Sequence, residues 1–352
     1  MFGLGKKKGL IGLDIGSYSI KIAELSEEKT GYHLKNIGMA LLPPDAITEG
    51  VIRDHSVVAD TIRSLVDNLK IKEKFVATSI SGFSVIIKKI EVPSMSSREL
   101  DDLIYAEATK YIPYNMEEVN ISYQTLGEAP SRPKNSEVLL VAAKKDIVDE
   151  YSNLLRSAGL EPKVIDVDFF ALQNAYELNY PPEEGCVALI DIGATKMNIN
   201  VVKNGSPLFT RDASAGGYQI THDIQNKFGV SFEEAERIKL GEAVGDIEKQ
   251  ELENIFVSAA SAWSIEIKRV IDFFYATYPE DKIVKIIISG GSARLPGFDL
   301  LLSKDTGITL EHFNPLANLE IDPEKFDLEY LSYIAPQMAI SIGLGLRRVD
   351  EK

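Results

Sequence analysis

The stretch "GLIGLDIGSYSIKIAEL", Gly9 to Leu25, runs apolar into Asp14-Ile15-Gly16 and then turns small and polar. The same pattern returns in "VALIDIGATKMNINVV", Val187 to Val202, around Asp191-Ile192-Gly193. The two aspartates stand 177 positions apart (191 − 14) in a chain of 352 residues, so the second copy opens near the midpoint. Each glycine lets the backbone turn tightly from one apolar strand into the next, and successive N–H groups in such a turn form a nest for anions. One Asp-x-Gly alone reads as an ordinary hairpin turn. Two copies half a chain apart point to a duplicated domain whose motifs face each other.

The surroundings of each copy extend the match. Residues 9–43 read as a β-meander, and residues 57–69 carry helical spacing through Val58, Ile62, Leu65, Val66 and Leu69. The second half repeats this order with "VALIDIG", "MNINVVKNG" and "PLFTRDA", an Asn204-Gly205 turn, and a helix over 218–228. Extra material lies between the halves. It holds the strand "FSVIIKKIEVP", a capping box from Ser96 to Glu99 opening a helix over 97–111, two further strands, and a helix over 146–157. Residues 84–162 are therefore expected to form an inserted β-α-β-β-α unit. Both of its helices should pack on its small sheet, through Leu100, Leu103, Ile104 and Tyr111 and through Ile147, Tyr151, Leu154 and Leu155. The frame around it divides into a first domain, 1–83 with 163–185, and a second, 186–332. A closing helix near 333–348 should return to the first domain.

Composition narrows the function classes. A net charge of −15 and a pI near 4.9 argue against nucleic acid, whose phosphates need a basic surface. The single cysteine, Cys186, cannot form an intramolecular disulfide and suits a reducing cytosol. The four histidines are scattered and give no zinc constellation. No run approaches the ~20 apolar residues of a membrane-spanning helix. Lys6, Lys7 and Lys8 read as a solvated tail rather than a lipid contact. The expectation is a cytoplasmic protein.

Two facing hairpins would grip a polyphosphate. Ser17 and Ser19 add hydroxyls to the first loop, Thr195 and Lys196 flank the second, and Lys21 would neutralise phosphate charge. Asp14 and Asp191 would hold Mg²⁺ through water, because that ion keeps several waters and uses few carboxylates. A third element is "IISGGSARLPGF", Ile287 to Phe298, where an apolar strand ends in Gly290-Gly291 beside Ser292. Paired glycines there leave room for a base and ribose against the backbone. No G-x-x-x-x-G-K-[ST] pattern occurs, so a P-loop is excluded.

Together these three motifs resemble the phosphate 1, phosphate 2 and adenosine motifs of the actin, Hsp70 and sugar-kinase superfamily. The fold this implies is α/β, with duplicated actin-like (ribonuclease H-like) domains. Lys21, seven residues after Asp14, matches the phosphate-binding lysine of the actin branch. "GVSFEEAERIKLG" resembles a helix of bacterial actins, which implies that Glu236 reaches the ribose and Lys239 the ribose or base. Gly216 and Gly217 resemble the glycine pair lining the cleft. The unit at 84–162 resembles the inserted 1C (SHS2) subdomain of FtsA.

Over essentially its whole length the chain is similar to the PilM family of type IV pilus assembly, including "AEATKYIPYNMEEVNISYQTL" and "YIAPQMAISIGLGLR". The resemblance implies an ATP-binding scaffold, peripheral at the inner membrane, that docks the cytoplasmic N-terminal tail of a PilN-like inner-membrane protein, with other pilus components as further partners. The segment "VIDVDFFALQNA" offers Asp168, with Asp166 behind it, where active ATPases place the residue that positions water. Aspartate is short for that role, so at most slow hydrolysis is expected. Two alternatives rank below the scaffold. A filament-forming division protein like FtsA is disfavoured because the chain stops at "RRVDEK", without a further amphipathic helix. A small-molecule kinase is disfavoured because no substrate signature is visible.

Overall fold

The computed structural model describes residues 9–48, 50–129, 132–242 and 247–349, with residue 83 by its backbone alone. Lys6–Lys8, expected to form a solvated tail, lie outside the described residues. In chain order, β1 (Ile11–Ile15), β2 (Ser19–Glu28) and β3 (Gly31–Leu41) form a meander. A ribbon of β4 (Ile47–Thr48) and β5 (Val51–Ile52) then leads to α1 (His55–Asn68) and β6 (Phe75–Ile80). Next come β7 (Val85–Pro93), α2 (Ser97–Ala108), β8 (Val119–Glu128), β9 (Asn135–Lys144), α3 (Lys145–Ser157), β10 (Glu161–Val167) and α4 (Asp168–Asn179). The second half holds β11 (Cys186–Ile192), β12 (Met197–Lys203), β13 (Ser206–Ala213), α5 (Gly217–Phe228), α6 (Phe232–Lys239) and α7 (Lys249–Thr277). It closes with β14 (Ile283–Ser289), α8 (Phe298–Thr306), β15 (Thr309–His312), α9 (Leu328–Ile334) and α10 (Ala339–Gly345).

The duplication is visible in the topology. One sheet runs β3-β2-β1-β6-β10 and the other β13-β12-β11-β14-β15. In each, the first three strands are antiparallel and the last two run parallel to the Asp-bearing strand. Strands β11 and β12 are buried almost throughout, as expected for central strands covered on both faces. Asn204 (φ 51°) and Gly205 (φ 72°) are both left-handed, the geometry a two-residue hairpin requires. On α1, Asp54 caps the N-terminus by accepting from the Val57 N–H, and Val58, Ile62 and Leu65 face the sheet.

The inserted unit is smaller than expected. Its sheet, β7-β9-β8, packs α2 through Leu100 and Ile104 against Ile90, Val92, Val138 and Leu140. The second helix expected on this sheet does not lie there: Tyr151, Leu154 and Leu155 of α3 pack into the first domain's core with Ile62, Leu65 and Val76. The topology supplies the reason. Helix α3 joins the fourth and fifth strands of its sheet, the place α8 holds in the second, so it completes the duplicated fold. The strands of the inserted unit thus end at Lys144. Helix α2 also stops at Ala108, short of Tyr111, which is exposed rather than packed.

Helices α4 and α10 join the two halves. Leu172, Ala175 and Tyr176 of α4 share one core with Ala23 and Leu25 of the first sheet, Val187 and Leu189 of the second, and Ala339 and Ile342 of α10. This seat depends on glycine. A Cβ at Gly12 would stand 2.0 Å from the Ser341 carbonyl oxygen, and one at Gly343 would stand 1.7 Å from that of Ala171. Neither leaves room for a side chain, so β1, α10 and α4 meet backbone to backbone.

Candidate functional site

Both Asp-x-Gly turns are tight hairpins of one geometry. The Gly16 N–H donates to the Ser19 carbonyl at 3.2 Å, and the Gly193 N–H donates to the Lys196 carbonyl at 2.9 Å. The tips meet: Ser17 Oγ lies 3.2 Å from Thr195 Oγ1, a hydroxyl–hydroxyl hydrogen bond between residues from different sheets. Tyr218 Oη donates to the Ser17 carbonyl at 3.3 Å, and the Tyr18 and Tyr218 rings stand edge to face. Burial pushes the Tyr18 hydroxyl up to about 12, with the charges of Glu236 and Tyr333 adding to it. Tyr18 therefore lies near the α6 and α9 sides of the same cleft.

The two aspartates are held differently. Asp14 pairs across the strands with Lys21, whose Nζ donates to Asp14 Oδ2 at 2.9 Å. Asp191 sits opposite Asn198 instead, and accepts from Ser289 Oγ at 2.8 Å. Burial pushes the Asp191 carboxyl up to about 6; Ser289 opposes this and the nearby Asp14 charge adds to it. A buried carboxylate raised by burial and by a second carboxylate gains from a cation placed between them. Among the described residues no three Asp, Glu, His or Cys side chains form a closed metal cage. Two carboxylates with open positions match Mg²⁺, which keeps waters and takes phosphate oxygens as ligands.

A further cluster assembles around Gly217. Glu236 of α6 accepts from Lys239 Nζ at 2.5 Å and from Thr221 Oγ1, and Lys239 also donates to Thr221 Oγ1 at 2.9 Å. Burial holds the Lys239 ammonium below the ordinary lysine value, with Glu236 opposing. A Cβ on Gly217 would stand 2.3 Å from Ser292 Oγ and 3.5 Å from Lys239 Nζ. Ser292 Oγ donates to the Gly193 carbonyl at 2.9 Å, which ties the turn after β14 to the second hairpin. Gly290 is left-handed (φ 93°), and a Cβ there would stand 2.3 Å from the Ile192 carbonyl oxygen. Gly216 is as confined, 2.5 Å from the Ala194 carbonyl oxygen, while Gly291 faces Gln337.

Sixteen positions are expected to bind nucleotide, and contacts link the two hairpins, the start of α5, α6 and the turn after β14 to one another. Lys196 departs from its expected direction. Its Nζ crosses to the first domain, donating to Asp168 Oδ2 at 3.0 Å and to Ser81 Oγ. Asp168, expected to position water, is thereby fully engaged: Ser79 Oγ donates to its Oδ1 at 2.6 Å and Asn198 Nδ2 to its Oδ2 at 3.4 Å. Burial alone would push the Asp168 carboxyl up, but Lys196 and the serine hydroxyls outweigh it and hold it below the ordinary value. Asp166 pairs with Arg347 at 2.9 Å and faces away from this chemistry. A cavity of about 320 Å³ lined by Tyr32, Asn174, Glu177, Leu178, Leu346 and Arg347 includes none of the site residues. It lies about 13 Å along α4 from Asp168.

Sequence reasoning missed Ser79, Ser81, Asn198, Thr221, Tyr218 and Ser289. A signal existed for two of them, because each sheet's fourth strand runs out through Ile-Ser-Gly, at 80–82 and at 288–290.

Known proteins share this fold. The chain aligns over 98% of its length with all of one chain of a PilM–PilN type IV pilus biogenesis complex, at 26% identity and a TM-score of 0.84. MreB5 of Spiroplasma citri, solved with AMPPNP, shares the fold at 12% identity and a TM-score of 0.50, covering 96% of this chain and 94% of that one. Among curated proteins, the cell division protein FtsA of Streptococcus pneumoniae is 21% identical over 347 residues, covering 86% of this chain and 75% of that protein. The family model described as type IV pilus assembly protein PilM matches residues 12–349. The chain is a member of that family, an actin-like protein of type IV pilus assembly.

Proposed function

We propose that the cleft binds Mg-ATP and that the chain acts as a peripheral inner-membrane scaffold, docking the cytoplasmic N-terminal tail of a PilN-like protein. The observation that carries the nucleotide part is the meeting of the two hairpin tips, Ser17 with Thr195, from opposite sheets. A ligand gripped from both domains would use both loops, and one that binds two interdomain arrangements with different affinity would shift the balance between them. Gly16 and Gly193 present the turning backbone, Ser17, Ser19 and Thr195 the hydroxyls, and Lys21 the positive charge. Glu236 and Lys239 would take the ribose and base side, where Gly216, Gly217, Gly290, Gly291 and Ser292 hold the surrounding turns in close contact. Asp14 and Asp191 would hold Mg²⁺ through its waters, and the ion would supply charge neutralisation to the phosphates.

Support for the partner comes from the solved PilM–PilN complex that this chain resembles. Among the described residues no helix is long and apolar enough to cross a membrane. The inserted unit is the proposed docking region, at its junction with the first domain, where an extended peptide would bind by backbone pairing and side-chain contacts. The test is fluorescence anisotropy with a labelled tail peptide, with and without Mg-ATP. Coupling between the sites should change peptide affinity by about fivefold or more. Equal affinity in both conditions would detach the nucleotide from the docking function.

A further inference from the structure

We propose that Lys196 keeps this cleft a binder of nucleotide rather than a hydrolase, by locking Asp168 in an ion pair across the two domains. The inference rests on the Mg-ATP reading above and concerns why turnover is withheld. Internal symmetry isolates the residue. The turn bonds Gly16 to Ser19 and Gly193 to Lys196 make Ser19 and Lys196 equivalent positions of the two hairpins. The first copy carries a short hydroxyl there and the second a long ammonium. That ammonium spans the cleft to the N-terminus of α4, where Asp168 opens the helix.

Asp168 is the carboxylate that meets the second hairpin from the first domain, and both of its oxygens are engaged. Lys196 and Asn198 occupy Oδ2 and Ser79 occupies Oδ1. In a turnover, a water oxygen bonds to the γ-phosphorus while the bond from phosphorus to the β,γ-bridging oxygen breaks, its electron pair leaving on ADP. The water proton would pass to the Asp168 carboxylate. A carboxylate neutralised by an ammonium at 3.0 Å and hydrogen-bonded on both oxygens cannot accept that proton efficiently. Lys196 also stands near Asp212, whose buried Oδ1 makes no hydrogen bond. One cation thus serves two carboxylates, Asp168 from the first domain and Asp212 from the second, and has reason to stay where it is.

The test compares wild type, Lys196→Ser (the residue type of the equivalent turn), Lys196→Arg, and the double variant Lys196→Ser/Asp168→Asn. Mg-ATP affinity is read by calorimetry and hydrolysis by phosphate release at saturating ATP. Circular dichroism checks folding, and Lys196→Gln replaces Lys196→Ser if the latter unfolds. Lys196→Ser should keep affinity within about threefold and hydrolyse at least about tenfold faster, part of the ~10²–10⁴-fold a positioned base contributes. Lys196→Arg should stay as slow as wild type, and the double variant should return to that rate. A wild-type rate in Lys196→Ser at undiminished affinity overturns the proposal. So does a tenfold loss of affinity, which would make Lys196 a phosphate ligand instead. If the wild type itself binds no Mg-ATP, the nucleotide reading fails and this inference falls with it.

Discussion

Asp191→Asn should make the empty protein more stable while abolishing its response to nucleotide. Asp191 lies one residue before the end of β11 and is only 9% exposed, and burial raises its pKa from 3.8 to about 6. Between roughly pH 4 and 6 the folded state holds a proton that the unfolded chain has released, so stability falls as pH rises through that window. Above pH 6 the full penalty is present. About two pKa units correspond to about 3 kcal/mol, an order-of-magnitude figure. Asparagine keeps the shape and the Ser289 contact but removes the charge. At roughly 2 °C per kcal/mol for a chain of this size, the variant should melt about 5 °C higher at pH 7.5 without ligand. The gap should shrink as pH drops from 6 toward 4. Mg-ATP at 100 times its Kd should stabilise the wild type by about 2.7 kcal/mol and the variant hardly at all. Scanning calorimetry at several pH values, with and without Mg-ATP, reads all of this. A variant less stable at pH 7.5, or a gap that does not change with pH, would refute the assignment of Asp191 as a strained carboxylate awaiting a cation.

Other outcomes follow from the same geometry. Excising residues 86–142 and joining the ends with two glycines should leave a folded protein that binds Mg-ATP but not the tail peptide, because Val85 and Ala143 are paired neighbours; peptide affinity equal to wild type would place docking elsewhere. Gly343→Ala should destabilise by about 1–3 kcal/mol or more, since the new methyl meets the Ala171 carbonyl, and a denaturant midpoint unchanged from wild type would contradict that close seat. Wild-type turnover should lie far below ~10 s⁻¹, the middle of the enzyme range, in a phosphate-release assay.

The repeat was legible because duplication prints the same local pattern twice. Asp14-Ile15-Gly16 and Asp191-Ile192-Gly193 need only their own strands to be recognised, and the Ser96–Glu99 box announces its helix within four residues. What was not legible depends on distant partners. The apolar stripe of α3 shows that one face is buried but not in which core, and only the sheet order assigns Tyr151 and Leu155 to the first domain. Gly12 and Gly343 look like ordinary glycines until Ser341 and Ala171 are brought against them. Lys196 reads as a phosphate ligand from its place beside Thr195. Its engagement with Asp168, 28 positions earlier, exists only once the two domains close on each other.

Two facing hairpins are proposed to form one Mg-ATP site. Its most direct measurement is a calorimetric titration of Mg-ATP into the wild-type chain and into Asp14→Ala, which leaves Lys21 without its partner and removes one of the two carboxylates. Binding at one site per chain in the wild type, weakened at least about tenfold by Asp14→Ala with the fold intact, is the predicted result. Absence of binding in the wild type, or equal affinity in both proteins, would contradict it.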